Sequence, residues 1–161
     1  SFVGLQILKN KVKFGKSINN YFINKYYHPD IQISLTTKLL KFANTSIDIS
    51  DGLVADLDKM LNNLNYSYQI YEKKIPISKN LSKLTMSGKF NKLNLISNGD
   101  DYQILFTASS SKSRIIQRTS RILGVKITKI GQIVSGKKKS SIFNQKSKQI
   151  LLKNKGYIHQ F

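Results

Sequence analysis

The chain has 161 residues, 40% of them hydrophobic and 10% aromatic, with nine glycines, two prolines and no cysteine. That is enough for one folded domain with a true core, and it excludes a disordered tail, a disulfide scaffold, a thiolate metal site and thiol catalysis. The 27 Lys and Arg against 8 Asp and Glu give a formal charge of +19, but the lysines are spread along the chain, so the charge reads as surface drift and nucleic acid is not an expected partner.

In chain order, Leu5, Ile7 and Leu8 mark the end of a helix within residues 4–9. A second helix is expected over Ser17–Tyr27, capped by Ser17 and stopped by Pro29, and a third over Ile33–Phe42. Ile47 and Ile49 then alternate with Asp48, which makes Ser46–Ile49 a short strand. Leu53, Leu57, Met60, Leu61 and Leu64 form one apolar helical stripe, with Asp56 and Asp58 expected on its solvated face. Tyr66–Tyr71 reads as a strand. Pro76 and Ser78 open a short helix. Tyr102–Thr107 reads as a strand, Ile115–Leu123 as a helix, and Lys126–Val134 as a strand interrupted by Gly131. Strands alternating with helices predict a layered α/β or α+β domain. No apolar run approaches a membrane span and Ser1 opens no signal pattern, so a cytoplasmic chain is expected. The lack of a Met at position 1 suggests a natural N-terminus further upstream.

Three clusters stand out. In Asp48-Ile49-Ser50-Asp51-Gly52-Leu53, two carboxylates flank a hydroxyl where a strand hands over to a helix. Two carboxylates there can hold magnesium, and the helix N-terminal N–H groups can take phosphate. Gly52 would let a ligand approach the backbone. The same segment can be read as a plain helix cap by Ser50 or Asp51. Asp48 favours the metal, because a cap needs one such residue and the segment offers three. The second cluster, Ser97-Asn98-Gly99-Asp100-Asp101-Tyr102, is either a solvated turn or a loop in which Asp100 meets a substrate and Asp101 fixes the loop. The third is the tail Lys155-Gly156-Tyr157-Ile158-His159-Gln160-Phe161, where Tyr157 offers a stacking surface. Neither His28 nor His159 is assigned to a metal. Gly15-Lys16-Ser17 looks like the end of a P-loop, but position 10 is Asn and no strand is expected before it.

Taken together and in order, these clusters resemble the C-terminal half of thiamine-monophosphate kinase, in the AIR-synthase-like superfamily. Residues 48–53 match its D-[IL]-S-D-G-L segment. Asn98 to Thr107 resemble G-G-E-D-Y-E-L-x-F-T, with Asn98, Asp100 and Gln103 in place of Gly, Glu and Glu. Ile130-Gly131-Gln132-Ile133 resemble an I-G-x-[IV] strand. Gly156 to Phe161 resemble a G-[YW]-x-H-F tail with Gln160 inserted. Gly4-Leu5-Gln6-Ile7-Leu8 and Lys25 to Pro29 look like the helical lead-in, residues 1–30.

The resemblance implies an α+β domain over residues 1–161, with a mixed sheet, packed helices and a partly ferredoxin-like topology. It implies ATP-dependent phosphorylation of thiamine monophosphate to thiamine diphosphate by direct transfer, with Mg2+. Asp48 and Asp51 would be metal ligands and Ser50 an ATP contact. Asp100 and Tyr157 would contact the substrate, and no residue would act as a covalent catalyst. The family's N-terminal domain, which supplies the rest of the site and the homodimer interface, would be missing, leaving the fragment inactive. Two alternatives are another AIR-synthase-like ATP-dependent enzyme and a basic nucleic-acid-binding module.

Overall fold

Alternation around Asp48 produces a strand, β1 over Ala43–Asp48, which pairs antiparallel with β3 over Ile104–Ala108. The computed structural model describes residues 1–62, 64–99, 101–136, 139–152 and 156. The register sets Ile47 opposite Leu105 and Asp48 opposite Ile104. Pairing continues beyond both strands. The Ile49 N–H donates to the Gln103 carbonyl at 2.9 Å, and the Tyr102 N–H donates to the Ile49 carbonyl at 2.9 Å. The two-stranded sheet therefore delivers the 48–53 and 97–102 segments to the same end.

A second sheet has four strands in the order β4-β2-β5-β6. They are β2 at Tyr66–Tyr71, β4 at Gly131–Ser135, β5 at Ser141–Phe143 and β6 at Gln149–Ile150. β2 runs antiparallel to β4 and parallel to β5, so this sheet is mixed. The α+β class with a mixed sheet and packed helices is what the sequence implied, with β1 and β3 as a separate pair.

One helix joins the two sheets. Helix α4, Leu53–Met60, follows the 48–52 segment and turns Leu53, Val54 and Leu57 inward, with Leu61 just beyond. They meet Tyr68, Ile70 and Ile142 of the four-stranded sheet, Leu105 of the β1–β3 pair, and Ile75 and Ile96 of the connecting segments. Burying such side chains stabilises the fold by about 1.5–3 kcal/mol each, so α4 and the loop before it are fixed by the central core. The stripe ends earlier than the spacing suggested. The helix stops at Met60, and Leu64 is half exposed.

The lead-in helices α1, Phe2–Leu8, and α2, Lys16–Tyr27, pack on each other through Val3, Ile7 and Phe22, which also meet Leu84 and Leu95. Ser17 does not cap α2. Gly15 holds the cap position and Ser17 lies inside the first turn. A third cluster joins Leu35 and Leu39 of α3, Ile33–Leu39, to Ile115 and Ile116 of α7, Ser113–Leu123, across Ile104 and Phe106 of β3. Ser78 caps α5, Lys79–Met86, as expected, accepting the Leu81 N–H at 3.2 Å. β4 begins at Gly131 and does not run from Lys126. Helix α6, Lys92–Leu95, and strands β5 and β6 were not foreseen. Among the described residues, no helix is long and apolar enough to cross a membrane.

Candidate functional site

The 48–53 segment is held by a residue that the periodicity put on the surface. Asp56 was expected on the solvated face of α4, yet it is 0% exposed. Its Oδ2 accepts the backbone N–H groups of Ser50 at 2.9 Å, Asp51 at 2.9 Å and Gly52 at 3.2 Å. Its Oδ1 accepts from Lys59 Nζ at 2.9 Å. A buried carboxylate is costly unless it is fully hydrogen-bonded, and here four donors satisfy it. The arrangement answers the cap reading. Gly52 occupies the N-cap position of α4 with no side-chain cap, so neither Ser50 nor Asp51 caps the helix. These three N–H groups point inward to Asp56, so they are not turned toward a phosphate. Asp58 is not simply solvated either. Its Oδ1 accepts from the buried Tyr68 hydroxyl at 2.9 Å, and burial first, then the Asp58 charge, pushes that phenol well above its usual range.

Glycines bring the other two clusters onto this loop. A β-carbon on Gly99 would overlap the Ser50 carbonyl oxygen and come within 2.9 Å of the Asp51 Cα. A β-carbon on Gly156 would overlap the Ala55 side chain and lie 2.8 Å from the Asp51 carbonyl oxygen. Gly52 has φ +125, a conformation open to glycine. Its open side faces the Ser97 backbone, 3.0 Å from where a β-carbon would sit, so the close approach there is made by the chain itself. The Leu53 N–H seals the junction by donating to the Ile96 carbonyl at 3.0 Å. Segments nearly fifty and a hundred residues downstream thus converge on 50–55.

The carboxylates divide by environment. Asp48, at the end of β1, is exposed, and its side chain makes no hydrogen bond or ion pair among the described residues. Asp51 has a side chain 15% exposed and forms an ion pair with Lys59. Hydrogen bonds that the Lys59 ammonium donates to Asp51 first, then to Asp56, hold it above its ordinary lysine value. A hard divalent cation takes oxygen ligands and keeps several waters. The Asp48 and Asp51 carboxylates and the Ser50 hydroxyl are such donors, and Asp51 already holds a cation in the form of an ammonium. The donor set therefore fits magnesium. Among the described residues no group of three or more His, Cys, Asp or Glu gathers, so the remaining ligands must come from water, phosphates or another part of the protein.

Asp100 and Tyr157 lie outside the described residues. Their neighbours Gly99 and Gly156 both reach the 50–55 segment. Asp101 is exposed, and its carboxylate lies 2.8 Å from the Ser1 backbone nitrogen. Asp56 and Lys59 were the residues missed. A signal did exist, since at 100° per residue Asp56 lies only about 60° from Leu53, on the edge of the apolar stripe.

No family model matches the chain. It is 38% identical to thiamine-monophosphate kinase of Buchnera aphidicola subsp. Acyrthosiphon pisum (strain APS) over 162 residues, covering 99% of this chain and 49% of that protein. Two solved structures share the fold. Thiamine monophosphate kinase from Aquifex aeolicus has a TM-score of 0.70 and 26% identity, covering 91% of this chain and 46% of that one. AaThiL complexed with AMPPCP and TMP has a TM-score of 0.72 and 25% identity, covering 96% of this chain and 47% of that one. The chain spans about half the length of the curated relatives it matches.

Proposed function

The chain is a relative of the thiamine-monophosphate kinases over about half their length, and we propose that it is the C-terminal half of such an enzyme, supplying one wall of its active site. The reaction would transfer the γ-phosphoryl group of ATP to the phosphate of thiamine monophosphate. A substrate phosphate oxygen bonds to the γ-phosphorus, the bond to the β-phosphate oxygen breaks, and thiamine diphosphate and ADP leave. The observation that carries this reading is the convergence of Gly99 and Gly156 on Ser50, Asp51 and Ala55. Three motifs far apart in sequence meet at one point, as parts of one site would.

Phosphoryl transfer depends on positioning and charge neutralisation, with little covalent work for the protein. Magnesium, when bound, would neutralise the two mutually repelling phosphates. This chain's part is to hold oxygen ligands still. Asp48 and Asp51 are the proposed metal ligands and Ser50 the proposed ATP contact. Asp56 fixes the backbone from which Ser50 and Asp51 project, through its three N–H bonds. Asp100 and Tyr157 are proposed substrate contacts on motif position alone. AaThiL is complexed with AMPPCP and TMP, which supports an ATP-like nucleotide and thiamine monophosphate as the ligands here.

The chain spans about half the length of its curated relatives, so an N-terminal half is proposed to carry the opposite wall, in a cytoplasmic homodimer. The test is ADP release with Mg-ATP and thiamine monophosphate. The 161 residues alone should be inactive, and the complete gene product should turn over and lose activity on Asp51→Asn. Turnover by the fragment, or an Asp51→Asn enzyme as active as wild type, contradicts the reading.

A further inference from the structure

We propose that Lys59 is the resident counter-cation of this site: its ammonium holds the Asp51 carboxylate until a divalent cation takes that carboxylate over, and Lys59 thereby sets how tightly the metal binds. The inference rests on the reading of Asp51 as a metal ligand. Lys59 stands in the last turn of α4 and reaches back to the first, pairing with both Asp51 and Asp56. Those two carboxylates are not equivalent. Asp56 is 0% exposed, and its Oδ2 already receives three backbone N–H groups, so it cannot turn outward without unmaking the loop. Asp51 retains access to solvent and projects from the loop that Gly99 and Gly156 close over.

Of the three groups, Lys59 is the one that can yield. Its side chain is 51% exposed on a flexible stem, so its ammonium can leave Asp51 for water and keep its bond to Asp56. An ammonium and a divalent ion on one carboxylate repel each other, so occupancy by one disfavours the other. In the absence of metal, Lys59 also relieves repulsion between Asp51 and Asp56, which lets an acidic loop fold before its metal arrives. Metal entry is then an exchange of cations at Asp51.

Calorimetric titration of the complete gene product with Mn2+ and Mg2+ tests this on Lys59→Met, Lys59→Arg and Asp51→Asn. Lys59→Met keeps the stem and removes the charge, and it should bind metal more tightly than wild type by a factor of about 1.5–5, the range of a partly exposed ion pair. Lys59→Arg should restore affinity toward the wild-type value, which a loss of packing alone would not reverse. If Lys59→Met fails to fold, Lys59→Gln, which can still donate to Asp56, takes its place with the same expected direction. Unchanged or weaker metal binding in these neutral variants, while Asp51→Asn abolishes binding, overturns the counter-cation role and leaves Asp51 as a ligand. Metal binding indifferent to Asp51→Asn, or absent from the wild type, overturns both.

Discussion

Gly99 lies against Ser50 so closely that a β-carbon would overlap the Ser50 carbonyl oxygen. The two residues are nearly fifty positions apart, and their contact is where the 97–102 loop closes over the 48–53 loop. Gly99→Ala should force the loops apart and destabilise the protein by about 1–3 kcal/mol, the cost of overpacking a tight contact. Gly15→Ala is the control, since a β-carbon there meets nothing within 4 Å and should change stability by no more than about 0.5 kcal/mol. Urea unfolding compares the two. Nucleotide binding by the complete protein should fall in Gly99→Ala only.

Asp56 is the other support of the site. Asp56→Ala leaves three backbone N–H groups and the Lys59 ammonium without their shared acceptor. Leaving buried donors without their acceptor costs about 1–3 kcal/mol per group. Chemical denaturation should show a loss of that order, and a change below about 1 kcal/mol would contradict the clamp.

Asp48 should behave in the opposite way. Its side chain is exposed and bonded to no other described residue, so Asp48→Asn should leave the melting temperature unchanged. As a proposed metal ligand it should nevertheless lower phosphotransfer by the complete enzyme by at least about a hundredfold, the upper range for residues that merely orient ligands. Excess Mg2+ should recover part of the loss.

Tyr68 offers a pH test independent of the site chemistry. Burial and the neighbouring Asp58 hold its phenol protonated beyond the normal range. The folded-state value is raised, so the stabilisation is fully present below the unfolded value of about 10. It is lost as pH rises through the folded value, because the unfolded chain ionises first. Melting curves of wild type and Tyr68→Phe should therefore differ by a constant amount up to about pH 10 and converge above it. The constant offset should be about 1 kcal/mol for the lost bond to Asp58.

Much of the fold was legible because its elements carry one-dimensional signals. Tyr66–Tyr71 is a strand over the bounds expected from the sequence. Ser78 caps α5, and the Leu53, Leu57, Leu61 stripe forms the central core. The 48–53 segment stood out as a candidate site because three oxygen-bearing side chains gather where a strand meets a helix. Tertiary structure alone decided that Asp56 faces inward, since periodicity gives a residue's angle on a helix and not what waits there to bond it. It alone decided that Gly99 and Gly156 close on Ser50 and Asp51, because a glycine's sequence neighbours do not reveal which distant backbone needs its missing β-carbon. The pairing of Lys59 with Asp51 is of the same kind. Its eight-residue separation crosses a loop and a helix, and the loop takes its direction from the buried carboxylate between them.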